Sequence, residues 1–342
     1  MRYIIIGAGA VGGAVGGRLA GAGHEVVLVA RGAQLAALRE GGLRLKVPDG
    51  DHEYRLPAVE GPGELGELRG DDVLVLAVKT QDTVAALQTW GPAPVAGGGS
   101  AAERLPLFCA QNGVEGQRLA LRVFRHVYGV CVWLPATYLE PGHVSAGGAP
   151  LTGMLHLGRY PHGTDETARR VAADLEKTGF IEAPVVPDVT RWQYAKLLTN
   201  LSNTLQALCG EDGGQDSRAA LRARVRAEGE AVLAAAGIPY ASVAEQQAQR
   251  GHKVDLVPLA GAPRAGGSTW QSLSRGTGSV ESDHLNGEIV LLGRLHGVPT
   301  PINELLQRLA GTFARERREA GSMPIEELVR LADEAVAFVQ ES

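Results

Sequence analysis

Cysteine is scarce and scattered. Cys109, Cys131 and Cys209 are the only three in 342 residues, too few for a disulfide framework or a thiolate metal site. Each sits among apolar neighbours, as buried thiols of a reducing compartment do. The nine histidines show neither HxxxH nor HExxH spacing. Glu281 and His284 lack a third ligand, so no metal is expected. Neither sign of charge dominates: the net charge is −5 and the isoelectric point about 6.0. The densest basic cluster, Arg315 to Arg318, is interrupted by Glu316 and flanked by Glu319, the pattern of a solvated helix face. Neither a nucleic acid nor an acidic membrane is therefore expected as a partner. No apolar run approaches the roughly 20 residues of a membrane span. The chain enters its first strand without a signal peptide, and a cytoplasmic location is expected.

Glycine, by contrast, is plentiful at 46 residues, and its placement near the start is specific. The segment Arg2 to Arg31 reads RYIIIGAGAVGGAVGGRLAGAGHEVVLVAR. An apolar strand, Tyr3 to Ile6, enters a turn with Gly7, Gly9 and Gly12 at GxGxxG spacing. A helix and a second strand, Val26 to Val29, follow. Gly7 permits the tight turn, Gly9 lets a pyrophosphate approach the backbone, and Gly12 lets the helix pack on the strand. The helix start offers unpaired N–H groups to phosphates. The residues Gly7, Ala8, Gly9, Ala10, Val11 and Gly12 are thus expected to cradle a dinucleotide. Where an NAD-binding unit carries a carboxylate for the ribose 2′-hydroxyl, this chain has Arg31, with Gln34 one turn on. A guanidinium grips a 2′-phosphate, so NADP(H) is expected over NAD(H).

At this length two domains are expected. An α/β, mostly parallel Rossmann-type domain over 1–187 precedes an all-α domain over 188–342. In the first, a short helix at Ala33–Arg39 and a hairpin of Leu43–Val47 with Tyr54–Leu56 follow the second strand. A buried strand ends at Lys79, a helix spans Thr83–Trp90, and 91–103 reads as a flexible loop. Another strand, Leu105–Ala110, ends at Gln111-Asn112-Gly113. Further strands lie in His126–Pro135 and His143–Gly158, and a helix covers Glu166–Thr178. In the second domain helices are expected near 190–209, 217–236, 280–296, 302–319 and 325–340. Gly251 to Gly267 is an irregular loop. A ligand crevice is expected where the two domains meet.

Lys79 and Asn112 both close predicted strands, where open α/β sheets bind ligands. Lys79 suits the cofactor's phosphate or ribose, and Asn112 the nicotinamide or the substrate. In the helix RWQYAKLLTNLSNTLQAL, the residues Lys196, Asn200 and Asn203 fall within about 60° of one another at 100° per residue. Asparagine is a weak helix former, and two aligned with a lysine point to a substrate-facing polar stripe. Ser268 borders the glycine-rich loop, and Glu281 begins a helix that also carries Asn286.

Taken in order, GAGAVG at 7–12, VKT at 78–80, QNGVE at 111–115, KLLTNLSN at 196–203, STWQ at 268–271 and ESDHLNGEIVLLGRLHGVPTPIN at 281–303 resemble the ketopantoate reductases (2-dehydropantoate 2-reductases). The resemblance implies a Rossmann domain that binds NADPH, a helical domain that closes over a 2-keto acid, and a place in pantothenate biosynthesis. It implies that Arg31 and Lys79 hold the 2′-phosphate and ribose side of NADPH. Lys196 would be the general acid at the keto oxygen, with Glu281 orienting it. Asn112, Asn200, Asn203 and Ser268 would bind substrate. Two positions depart from the family pattern. Its second helix Asn falls on Thr204, one past Asn203, and counting back from Glu281 places its serine on Thr269 instead of Ser268. Three functions follow: ketopantoate reduction to (R)-pantoate, the same chemistry on another 2-keto acid or an imine, and a non-enzymatic NADP(H) sensor. A homodimer is left open.

Overall fold

The computed structural model describes residues 1–211, 214–260, 266–276 and 278–341. Its elements run β1 (Arg2–Ile6), α1 (Ala10–Gly21), β2 (Glu25–Val29), α2 (Gly32–Gly41), β3 (Leu43–Val47), β4 (Gly50–Tyr54), β5 (Ala58–Val59), β6 (Asp72–Leu76), α3 (Thr83–Trp90), α4 (Ala101–Arg104), β7 (Pro106–Cys109), α5 (Glu115–Leu121) and β8 (His126–Trp133). There follow β9 (Ala136–Thr137), β10 (His143–Ala146), β11 (Gly148–Pro150), β12 (Gly153–Arg159), α6 (Glu166–Glu176), β13 (Ile181–Glu182), α7 (Val189–Asn200), α8 (Asn203–Cys209), α9 (Gln215–Ala235), α10 (Val243–Arg250), β14 (Val254–Leu256), α11 (Ser268–Ser274), α12 (Asn286–His296), α13 (Pro301–Glu316) and α14 (Ile325–Glu341). They form two compact units: Met1–Gln193 with Ala241–Pro263, and Tyr194–Tyr240 with Arg264–Ser342.

The first unit is built on an eight-stranded sheet of order β13-β12-β8-β7-β6-β1-β2-β5. All its pairs are parallel except β8 with β12. The apolar runs explain this. Tyr3, Ile5, Val26, Leu28, Val73, Val75 and Phe108 fill one core. Their neighbours in sequence, Ile4, Ile6, Val27, Val29, Leu74, Leu76 and Leu107, fill the other. Strands buried on both faces have no polar alternation to show, and this is the environment of a parallel sheet. A four-stranded sheet, β4-β3-β10-β9, and the pair β11-β14 complete the unit.

Several expected elements are shifted. The strand leading to Lys79 ends earlier, at Leu76, and Lys79 lies in the turn beyond it. The returning hairpin strand starts at Gly50, because Val47 pairs with Gly50 around Pro48-Asp49. The 91–103 segment is ordered by hydrogen bonds, including Ala96 N to Leu68 O at 2.8 Å. It also contains α4, opened by a capping box of Ser100 and Glu103, a local signal the sequence did carry. Within Gly251–Gly267, β14 pairs with β11, and residues 261–265 lie outside the described residues. The helix α10, opened by the Ser242/Glu245 capping box, was not expected.

The second unit is helical. At Gly229 of α9 a Cβ would come within 2.7 Å of Leu198 and 2.9 Å of Leu201, so this glycine lets α7 lie close on α9. The single helix expected near 190–209 is broken at Leu201-Ser202 into α7 and α8. The cause is tertiary: Asn286 Nδ2 donates to Leu201 O at 3.1 Å and so satisfies a carbonyl at the break. The helix expected over 280–296 is likewise a short 3₁₀ turn, Glu281–His284, followed by α12. Leu285 between them has φ −109° and ψ −82°, which interrupts the α geometry.

Candidate active site

In the first unit the candidate residues converge on the carboxyl edge of the parallel sheet. Because β7, β6, β1 and β2 are consecutive neighbours, the turns after them lie side by side. The turn after β1 is the glycine turn. Gly7 has φ +107°, and a Cβ there would lie 2.7 Å from Val78 N. A Cβ at Gly12 would lie 2.1 Å from Gly7 O and 2.8 Å from Ile5. A Cβ at Gly9, in contrast, would meet nothing nearer than Tyr138 at 4.0 Å. Gly7 and Gly12 are therefore required by the fold, whereas Gly9 leaves its backbone open on one side. It caps α1, whose first turn has no acidic residue. An open backbone at a helix start without negative charge suits a pyrophosphate.

Gln34, noted in the sequence but given no role, holds this turn. It is buried, donates Nε2 to Ala8 O at 2.7 Å and accepts Gly142 N at 2.7 Å. Gln111 does the same between the next two turns, donating to Val78 O at 2.9 Å and Thr83 Oγ1 at 2.8 Å. It thereby ties the segment carrying Asn112 to the segment carrying Lys79. Arg31 caps α2 and is 65% exposed. Its Nη2 lies 3.4 Å from Asp82, in the 3₁₀ turn Thr80–Asp82 that Lys79 opens. Such an exposed, long pair holds little energy, and its guanidinium stays accessible to an anion beside the Lys79 turn.

In the second unit, Lys196 and Asn200 stand one turn apart on α7, half-buried and buried respectively. Asn203, at the start of α8, packs against the backbone before α11: a Cβ on Gly267 would lie 3.2 Å from Asn203 Cγ. Ser268 is the next residue after this contact. It is the first residue of α11, directly after the Gly251–Gly267 segment. The hydroxyl oxygens of Ser268 and Thr269 are both buried without a hydrogen-bond partner among the described residues. Glu281 is 4% exposed. Its carbonyl accepts Leu285 N at 3.0 Å, and the adjoining Asn286 bonds Leu201 O, so its turn is anchored to the α7–α8 break.

Asn203 and Thr204 stand in different surroundings. Thr204 is fully buried and donates to Asn286 Oδ1 at 2.7 Å. Asn286 Nδ2 donates to Asn303 Oδ1 at 3.0 Å, and Asn303 Nδ2 donates to Glu228 Oε2 at 2.7 Å. Thr204 belongs to this internal network, whereas Asn203 is half-exposed. Among the described residues no group of His, Cys, Asp and Glu could hold a metal ion, and no helix is long and apolar enough to cross a membrane.

A doubly wound sheet with a phosphate-type glycine turn, joined to a helical unit that carries a Lys–Asn face, defines a dinucleotide-dependent oxidoreductase. The profile described as "Ketopantoate reductase PanE/ApbA" matches residues 3–162, and its "C terminal" counterpart matches 188–314. The chain belongs to the ketopantoate reductase family, oxidoreductases that act on a CH–OH group with NADP(H). It is 29% identical to the 2-dehydropantoate 2-reductase of Halobacterium salinarum, over 92% of this chain and 100% of that one. The crystal structure of a PanE/ApbA family ketopantoate reductase from Ralstonia eutropha JMP134 superposes with a TM-score of 0.73 at 30% identity, covering 93% of this chain and 100% of the other. The ternary structure of a D-mandelate dehydrogenase with NADH and anilino(oxo)acetate shares the fold, with a TM-score of 0.76 at 23% identity over 93% and 99% of the chains.

Proposed function

We propose that the protein reduces a 2-keto acid to the 2-hydroxy acid with NADPH, and that the pair is ketopantoate and (R)-pantoate. The observation that supports the keto-acid half is the buried hydroxyl of Ser268, which has no hydrogen-bond partner among the described residues and directly follows Gly267, the residue that packs on Asn203. A buried polar group is normally hydrogen-bonded, and a substrate oxygen would satisfy this one. The domains are read as 1–187 for the cofactor and 188–342 for the substrate. The cofactor half rests on the absence of a carboxylate at Arg31 and on the nearness of that guanidinium to the Lys79 turn.

In this reading residues 7–12 hold the pyrophosphate, Arg31 and Lys79 the 2′-phosphate and ribose, and Asn112 the nicotinamide or the substrate. The cofactor supplies the hydride to the carbonyl carbon. Asn200, Asn203 and Ser268 orient the keto acid through hydrogen bonds to its oxygens. The Lys196 ammonium donates a hydrogen bond to the keto oxygen, stabilises the negative charge that grows there, and passes its proton to that oxygen. Glu281, a buried carboxylate, keeps Lys196 in place.

A steady-state screen of 2-keto acids with NADPH and NADH tests this. Ketopantoate with NADPH should give the highest kcat/KM. Because the fold is also that of a D-mandelate dehydrogenase, benzoylformate belongs in the screen, and its preference would move the proposal to a different keto acid. Absence of turnover with every keto acid and imine would leave an NADP(H) sensor.

A further inference from the structure

We propose that Gln206 is a positioning residue for the keto-acid site: it sets where α11 begins and thereby where Ser268 stands. This rests on the reading above that Ser268 contacts the substrate. The helix α11 has only seven residues and is capped by Gly267, which offers no side chain to define its start. Short helices are marginal without tertiary support. Here the support comes from α8. Gly267 N donates to Gln206 Oε1 at 2.7 Å, while Gly267 O accepts the first helical bond from Gln271 N at 3.0 Å. The backbone at Gly267 is pressed so close to α8 that a Cβ would lie 3.1 Å from Gln206 Oε1 and 3.3 Å from Asn203 Oδ1.

Two observations therefore converge on one contact. A glutamine of α8 satisfies one of the N–H groups that a helix start without a side-chain cap leaves unpaired, and a glycine admits the close approach. Asn203 and Gln206 lie three residues apart on the same helix face. The same contact that holds the start of α11 therefore holds the residue before Ser268 against the face that carries Asn203. Gln206 need not touch the substrate. It sets where Ser268 stands relative to α8.

The test uses the full-length protein with Gln206→Met, which keeps the side-chain length but removes the acceptor, and Gln206→Glu, which keeps an acceptor oxygen. Three readouts are taken: the ketopantoate KM and kcat, the NADPH KM, and hydrogen exchange of residues 266–274 without ligand. Gln206→Met should raise the keto-acid KM roughly three- to tenfold, the effect of losing one neutral hydrogen bond. It should leave the NADPH KM unchanged and speed exchange in 266–274. Gln206→Glu should restore both KM and exchange to within about twofold, since its carboxylate accepts the same N–H. A wild-type KM in Gln206→Met, or Gln206→Glu behaving as Gln206→Met, overturns the proposal. If the wild-type protein reduces no keto acid, the functional reading fails. The exchange comparison then stands alone: unchanged exchange in Gln206→Met overturns the positioning of α11, and faster exchange reversed by Gln206→Glu supports it.

Discussion

Arg18, in the last turn of α1, grips Asp49 in the turn between β3 and β4, with Nη1 at 2.9 Å from Oδ2 and Nη2 on Oδ1. The same guanidinium donates Nε to Thr152 Oγ1 at 2.8 Å and lies 3.9 Å over the Phe180 ring. The helix that opens on the glycine turn is thus pinned at its other end to three separate segments. Arg18 is only 4% exposed, so removing Asp49 would leave a buried charge without its ion-pair partner.

The first prediction concerns acid stability. Hydrogen bonds from Arg18 hold the Asp49 carboxyl down to about 2, from an ordinary value of 3.8. A depressed carboxylate contributes stability above its unfolded value and loses it as pH falls through the folded value. The Asp49 contribution should therefore be complete above pH 4 and vanish between pH 4 and pH 2. Asp49→Asn should cost about 1.5–3 kcal/mol at pH 7, the range for hydrogen bonds to a charged group. Denaturant unfolding of both proteins at pH 7, 4 and 2 measures this. A gap that stays constant down to pH 2 would refute the assignment.

Gln34→Leu is the second. It strips the hydrogen bonds from Ala8 O and Gly142 N while keeping an apolar body of similar size. Two backbone groups lose their partner, and about 1–3 kcal/mol of stability should go with them. Since the Ala8 carbonyl belongs to the glycine turn, NADPH affinity should fall as well. Titration of NADPH fluorescence against the variant gives the answer, and an unchanged Kd would show that the turn keeps its shape without Gln34.

How far the sequence could lead is clear from particular residues. The glycine turn was legible because its causes are local: the φ of Gly7 and the crowding at Gly12 arise within a strand–turn–helix of twenty residues or so. The Lys196–Asn200 face was legible because both residues lie within α7. The break after Asn200 was not, because its hydrogen bond comes from Asn286, 85 positions away. The angular argument that aligned Asn203 with Lys196 assumed one continuous helix. Asn203 instead opens α8 and packs on Gly267, the residue before Ser268. The start of α11 was hidden by the glycines before it, since part of its support is a hydrogen bond from Gly267 N to Gln206, 61 positions away.

The third prediction addresses the cofactor. Arg31→Asp removes the guanidinium and sets a second carboxylate beside Asp82. The loss of one charge-assisted contact is worth about 1.5–3 kcal/mol, so the NADPH KM should rise by roughly one to two orders of magnitude. The NADH KM should change far less, because NADH has no 2′-phosphate. Steady-state kinetics with both cofactors decide it. A variant that keeps the wild-type preference would remove Arg31 from the phosphate site.

The last prediction tests the proton donor. Lys196 is half-buried between the fully buried Ala195 and Leu197, so Lys196→Ala leaves the apolar contacts of α7 in place and should fold normally. NADPH binding should persist, since residues 7–12 and Arg31 belong to the first unit. Turnover of the keto acid should drop by roughly 10²–10⁴-fold, the usual contribution of a positioned general acid. Lys196→Arg should not recover it, because a guanidinium holds its proton too tightly near neutral pH and its planar fork does not fit an ammonium's place. Glu281→Gln should lower turnover less, since Gln retains a carbonyl oxygen to orient the lysine while losing the charge. Circular dichroism and NADPH titration establish that each variant is folded and loaded. Near-wild-type turnover in a folded, NADPH-binding Lys196→Ala would falsify the proposed mechanism and move the proton donor elsewhere.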